Sequence, residues 1–242
     1  MIEIQNLVKS FQDKEILKNI SLDIQDNETL VILGPSGQGK TVLIKSLNRL
    51  LEPDSGHILY DGQDIMKLKR KALTQFRKKM AFVFQNSALF DFLNVRENLS
   101  LYLTMHTKMP KKQIADKVNE ALTFVGLNGG TEDKFPDEIS GGMKKRVAIA
   151  RAMIKQPEYI FYDEPTTGLD DNNATKVCKL VNMLKRKIDA TSVIVTHDIR
   201  LMKDVADRVA LLKNGQFVFI GKQDELSGDM LKYLYKGDDN EL

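Results

Sequence analysis

Short apolar runs, each closed by a turn signal, punctuate the chain. Ile20, Leu22 and Ile24 alternate with polar neighbours before Asp26-Asn27 breaks the pattern, so residues 2–33 read as short strands joined by turns. Leu30-Val31-Ile32-Leu33, Ala81-Phe82-Val83-Phe84, Tyr159-Ile160-Phe161-Tyr162 and Ser192-Val193-Ile194-Val195 read as buried strands. Val209-Ala210-Leu211-Leu212 and Phe217-Val218-Phe219-Ile220 flank Asn214-Gly215, a hairpin signal. Turns are expected at Pro53-Asp54-Ser55-Gly56 and Asp61-Gly62, on either side of Ile58-Leu59-Tyr60. Helical spacing appears elsewhere. Leu43, Ile44, Leu47, Leu50 and Leu51 predict one amphipathic helix. Pro110 opens a second, with Ile114, Val118, Ala121, Leu122 and Val125, which stops at Gly126. Gly141-Gly142 opens a third, with Val147, Ala148, Ala150 and Ile154. Strands alternating with helices predict an α/β core with a mainly parallel sheet, and the helical texture of 87–156 predicts an insertion in that core.

At 242 residues the chain fits one large domain, or a core with an inserted subdomain. Its net charge of +3 is too small to argue for a nucleic-acid partner. The basic cluster Lys67, Lys69, Arg70, Lys71, Arg77, Lys78, Lys79 reads as a solvated helix face, with contact to acidic lipid or a partner as the alternative. A single cysteine, Cys178, excludes an internal disulfide. Its neighbours Val177, Leu180, Val181 and Leu184 form an apolar stripe, which predicts a packed thiol. No apolar run is long enough to span a bilayer, and Met1-Ile2-Glu3-Ile4 lacks the basic start and apolar core of a signal peptide. The expectation is a cytoplasmic protein whose membrane role comes through a partner.

Three patterns carry chemistry. Gly34-Pro35-Ser36-Gly37-Gln38-Gly39-Lys40-Thr41 has the form G-x-x-x-x-G-K-[ST], between a predicted strand and a predicted helix. Its glycines let backbone N–H groups curl around a phosphate, and the helix aims its positive dipole end at the same anion. Lys40 would reach the β- and γ-phosphates, and the Thr41 hydroxyl would bind Mg²⁺. The strand Tyr159–Tyr162 ends in Asp163-Glu164. Ligands of open α/β sheets sit off the carboxyl ends of the strands, so this pair can lie beside the phosphate loop. Asp163 would hold Mg²⁺ through water, and Glu164 would polarise the water that attacks the γ-phosphate. His197 follows another apolar strand and can reach the same edge, where it would contact the γ-phosphate.

With Glu138-Ile139-Ser140-Gly141-Gly142-Met143 these patterns resemble the ABC ATPases, over Ile4 to about Gly221. Gly34–Thr41 matches the family's Walker A loop, Ser140-Gly141-Gly142-Met143 its signature loop, and Asp163 and Glu164 its Walker B and catalytic carboxylates. Gly168-Leu169-Asp170 matches the D-loop and His197 the switch histidine. Gln85 stands where a glutamine joins Mg²⁺ and the attacking water to the helical subdomain. Phe11 stands where an aromatic stacks on adenine, although tyrosine is commoner there. Three residues depart from the family pattern: Met143 replaces glutamine, Asp171 replaces proline and Ile139 replaces leucine. None removes a catalytic group. The resemblance implies an α/β P-loop NTPase fold with an antiparallel β subdomain and an inserted helical subdomain. It implies one nucleotide-binding domain over 1–242, with its ATP-binding core at about 1–86 and 157–242 and its helical part at about 87–156. It also implies ATP and Mg²⁺, and a second copy of the chain sandwiching two ATPs head to tail, with Ser140 on the partner's γ-phosphate.

Ser140-Gly141-Gly142-Met143-Lys144-Lys145-Arg146-Val147 is similar to the ATPases of Mla-type lipid transporters. So are Phe84-Gln85-Asn86-Ser87-Ala88-Leu89-Phe90, Asn94-Val95-Arg96-Glu97-Asn98 and the tail Met230-Leu231-Lys232-Tyr233-Leu234-Tyr235-Lys236-Gly237. That similarity implies phospholipid movement between membranes and a lipid-binding component. It also implies an integral-membrane permease seated in a groove near 86–109, lined by Leu89, Phe90, Phe92 and Leu93, which places the subunit peripherally on the cytoplasmic face of the inner membrane. Two alternatives share the fold: the ATPase of a small-solute importer, such as one for an amino acid, and a cell-division ABC ATPase that transports nothing. A soluble ribosomal or DNA-repair ABC protein would need two ATPase units or a long coiled coil, and neither is present.

Overall fold

The computed structural model describes residues 1–235; Lys236 and Gly237 of the tail quoted above lie outside the described residues. The chain forms two compact units, one of Met1–Arg77 with the residues from Thr191 on, the other of Lys78–Ala190.

In the first unit, β1 (Ile2–Phe11), β2 (Lys14–Ile24), β4 (Ser55–Tyr60) and β5 (Gln63–Asp64) make an antiparallel sheet in the order β2-β1-β4-β5. Ile2, Ile4, Leu7, Leu17, Ile20, Leu22 and Ile24 are its buried face. The strands are longer than predicted because bulges absorb residues that break the alternation: β1 slips register between Ile4 and Leu7, where Asn6 has φ 50°. The same bulge explains why β4 begins inside the predicted turn 53–56. A Cβ on Gly56 would meet the Asn6 carbonyl at 2.5 Å, so this glycine admits β1 rather than closing a turn.

The unit's second sheet places β3 (Thr29–Leu33) between β8 (Thr191–Thr196) and β9 (Arg208–Lys213), all parallel. Every residue of β3 and β8 is buried, as unbroken apolar runs require when both faces are covered. β10 (Gln216–Lys222) turns back on β9 through Asn214-Gly215, both at positive φ, as the hairpin signal predicts. The helices are α1 (Lys40–Leu47), α2 (Arg70–Phe76), α7 (Ile199–Val205) and α8 (Gly228–Tyr235). α1 stops at Leu47 rather than running on through Leu51. Arg49 has φ 52° and Leu50 is 50% exposed. Arg77 satisfies the freed carbonyls: its guanidinium donates to Asn48 O at 3.0 Å and Arg49 O at 2.6 Å. It therefore does not belong to the solvated face expected of the 67–79 cluster.

In the second unit, β6 (Met80–Val83) and β7 (Tyr159–Asp163) are parallel. They accompany α3 (Val95–His106), α4 (Lys111–Phe124), α5 (Gly141–Lys155) and α6 (Asp171–Lys187). Asn94 and Glu97 form a reciprocal cap at the start of α3. α4 begins after Pro110 and ends before Gly126, at φ +64°. α5 buries Val147, Ala148, Ile149, Ala150, Ala152, Met153 and Ile154 and touches α3, α4, α6 and β6. On α6 the stripe Val177, Leu180, Val181, Leu184 is buried with Cys178, the packed thiol expected.

Candidate nucleotide site

The phosphate loop sits where the sequence places it: β3 ends at Leu33, residues 34–39 form the loop, and α1 begins at Lys40. Gly39 caps that helix at φ 96°, a conformation that costs a β-carbon-free residue little, and its carbonyl accepts from Leu43 N at 2.8 Å. Lys40 is 5% exposed, and its ammonium donates to the carbonyls of Gly34 at 2.7 Å and Pro35 at 2.9 Å. The lysine is thus folded back over the loop it closes. Gln38 is held from the side, its amide oxygen accepting from Asn214 N in the β9–β10 hairpin.

His197 follows Thr196, the last residue of β8, and Thr196 is in register with Leu33 of β3. The parallel register therefore puts His197 and Gly34 at the same carboxyl edge. The His197 carbonyl accepts from the Tyr235 hydroxyl of α8 at 3.1 Å, and Asp198 caps α7 behind it. Phe11 ends β1 at an exposed hairpin tip, with the Lys9 ammonium 5.3 Å from its ring centroid. The first unit thus holds Phe11, Gly34–Thr41 and His197.

The second unit holds Gln85, Ser140–Met143, Asp163, Glu164 and Asp170. Val83 of β6 is in register with Tyr162 of β7, so Gln85 and the Asp163-Glu164 pair leave parallel strands at one edge. Asp163 is 2% and Glu164 7% exposed. Glu164 has φ 48°, a left-handed conformation that strains a residue with a side chain and is held by its surroundings. Thr167 Oγ1 donates to Glu164 Oε2 at 3.0 Å. Ser140 caps α5, its hydroxyl accepting from Met143 N at 3.3 Å, so the signature loop and a helix N-terminus coincide. Asp170 caps α6 by accepting from Asn173 N at 2.9 Å and from Asn173 Nδ2 at 2.6 Å. Those hydrogen bonds hold its carboxyl below the usual range.

Three side chains take roles here that the sequence did not assign, although Lys145 and Asn98 lie in segments that carry the Mla-type resemblance. Lys145, buried in α5, donates to Gln85 O at 2.5 Å and Glu164 O at 3.1 Å. Burial lowers its pKa, Asp163 and Glu164 pull it back, and it settles at about 8. Asn98, buried in α3, organises the segment before it. Its Nδ2 donates to the carbonyls of Phe90, Leu93 and Asn94, and its Oδ1 accepts from Phe90 N. That frame leaves Phe90 exposed and Phe92 76% exposed, with their rings 5.7 Å apart. Asn173 packs on Gly142. No span signal or spacing announces these roles, because each depends on a partner brought in by the fold.

Residues 17–167 match the ABC transporter family. The chain belongs to that family. It is 42% identical over 225 residues to a probable ribonucleotide transport ATP-binding protein of Mycobacterium leprae, covering 93% of this chain and 65% of that one. It is 35% identical over 226 residues to the intermembrane phospholipid transport system ATP-binding protein of Haemophilus influenzae, covering 93% and 85%. It is 37% identical over 246 residues to a methionine import ATP-binding protein of Clostridium acetobutylicum, covering 100% and 76%. A dimeric ATP-binding cassette solved in a post-hydrolysis state with ADP and Pi matches with a TM-score of 0.85 at 31% identity, covering 92% of this chain and 98% of that one. The fold is therefore the ABC ATPase version of the α/β P-loop NTPase. The chain spans just under two thirds of the length of the first relative named.

Proposed function

We propose that the protein binds ATP and hydrolyses it to power a membrane transporter. The observation that carries this reading is the phosphate loop between β3 and α1, with His197 at the same sheet edge through the Leu33–Thr196 register. Backbone N–H groups of 34–41 and the α1 dipole bind the phosphates, and Lys40 turns from the Gly34 and Pro35 carbonyls to the β- and γ-phosphates. Phe11 stacks on adenine. Glu164 takes the proton of the attacking water, Gln85 orients that water, and His197 donates to the γ-phosphate.

The Thr41 hydroxyl, Gln85 amide and Asp163 carboxylate are hard oxygen donors, which suit Mg²⁺. No group of three or more His, Cys, Asp or Glu able to hold a metal occurs among the described residues. An Mg²⁺ ion held through the one carboxylate of Asp163 would complete its shell with phosphate and water oxygens. When bound, Mg²⁺ neutralises charge developing on the phosphates.

Two copies close on two ATPs, with Ser140, Gly141, Gly142 and Met143 of each, and the α5 N-terminus, on the γ-phosphate held by the other; Asp170 lies at the same junction. Loss of the γ-phosphate opens the dimer. The subunit reaches the cytoplasmic face of the inner membrane through a permease, as the resemblance to transporter ATP-binding subunits implies; among the described residues no helix is long and apolar enough to cross a membrane. The exposed Phe90 and Phe92, framed by Asn98, offer that permease an apolar seat near 86–109.

Phospholipid is the cargo we favour, on the Ser140–Val147 resemblance and the relative named for phospholipid transport. A small solute is the second reading, favoured by the relative named for methionine import. A mild-detergent pull-down of the tagged chain from its native membranes, with mass spectrometry of proteins and lipids, separates them. A permease with a lipid-binding partner and bound phospholipid supports the first reading. A permease with a solute-binding protein and no lipid supports the second. A membrane regulator of division with neither removes transport and leaves the ATPase.

A further inference from the structure

α5 carries five cations, and four of them donate to backbone carbonyls outside the helix. Arg146 serves Val125 O and Gly126 O, Arg151 serves Ser87 O and Ala88 O, and Lys155 serves Met80 O. Lys145 differs in what it joins. Its two acceptors, the carbonyls of Gln85 and Glu164, are 60 and 19 residues away along the chain and belong to the segments that leave β6 and β7. It is 4% exposed, and a buried ammonium survives only where acceptors replace its lost water. One acceptor belongs to Glu164, whose backbone is held at φ 48°.

We propose that Lys145 is a positioning residue for the reaction: by gripping the carbonyls of Gln85 and Glu164 it aims both side chains and ties them to α5, the helix that the signature serine caps. The peptide plane of Glu164 sets where its carboxylate points, so fixing the carbonyl fixes the base. The same ammonium fixes Gln85 against the same helix, so a displacement of the Ser140 end of α5 is carried to both residues at once.

This proposal rests on the ATPase reading, and the test separates the two. The full chain, purified with its membrane partners, is compared as wild type, Glu164→Gln, Lys145→Met, Lys145→Arg and Lys155→Met. Lys145→Met is expected to lower kcat by about 10–100-fold, while KM for ATP and the affinity for a fluorescent ATP analogue stay within about 3-fold. Lys145→Arg, which keeps donors on a longer arm, recovers turnover to within about 5-fold of wild type. Lys155→Met removes an equally placed cation from the same helix and leaves kcat within about 3-fold. Amide exchange at 84–88 and 164–168 quickens in Lys145→Met and not in Lys155→Met. If Lys145→Met fails to fold, Lys145→Gln, a neutral donor on a shorter arm, carries the same comparison. Equal losses in the two Met variants, or Lys145→Met with wild-type kcat, would overturn the proposal. A wild type no faster than Glu164→Gln would instead overturn the ATPase reading, and this proposal with it.

Discussion

Asn173 fills the space over Gly142. A β-carbon built on Gly142 would lie 2.8 Å from Asn173 Cγ and 2.9 Å from its Oδ1. Asn173 is not free to swing aside, because Asp170 accepts from both its backbone and its side-chain N–H groups. The third residue of the signature loop and the cap of α6 are therefore packed as one piece. Gly142→Ala should cost about 1–3 kcal/mol of stability through overpacking. Asn173→Ala, which removes the two closest atoms, should restore part of that loss in the double variant. Denaturant unfolding of the two single variants and the double variant measures the coupling; strict additivity would show that the contact is not felt.

Asn98 predicts a second effect. Replacing it with leucine leaves the carbonyls of Phe90, Leu93 and Asn94 without this donor, and Phe90 N without this acceptor. Asn98→Leu should cost about 2–3 kcal/mol. It should also loosen the 90–94 segment, so that less permease is retained on the tagged chain while the nucleotide affinity of the 34–41 loop is kept. Retention equal to wild type would separate this loop from the docking surface.

The pKa of Lys155 gives a pH dependence. Burial lowers it from 10.5 to about 8, with the Tyr102 ring of α3 5.1 Å from the ammonium. Between those values the unfolded chain binds the proton and the folded chain does not, so this residue makes stability rise with pH across that window. Below the lower value the buried charge is a constant burden. Wild type should therefore gain stability relative to Lys155→Met as pH rises from 8 toward 10.5, read as the difference between their denaturant midpoints. A flat difference would contradict the assignment.

What could be read from the sequence was local. The β3–loop–α1 unit and the Asn214-Gly215 hairpin are continuous in the chain, and their residue types specify backbone conformations directly. The overshoot of α1 past Leu47 and the misplaced start of β4 share a cause. Each is decided by a distant group, Arg77 on the carbonyls of 48 and 49 and the Asn6 bulge against Gly56. The contacts of Lys145, Asn98 and Asn173 were illegible for the same reason, although the first two lie in segments that carry the Mla-type resemblance. A lysine in a basic helix or an asparagine in an apolar one carries no sign of which carbonyl or β-carbon the fold will bring to it.

The central claim is that this chain hydrolyses ATP with Glu164 as the base, and it is tested most directly by steady-state turnover and nucleotide binding of Glu164→Gln beside wild type. The isolated subunit is expected to be slow, so both are assayed with the membrane partners present. The account predicts that Glu164→Gln binds ATP as tightly as wild type, loses turnover by at least about 100-fold and accumulates as an ATP-bound dimer. Hydrolysis by Glu164→Gln at the wild-type rate would contradict it.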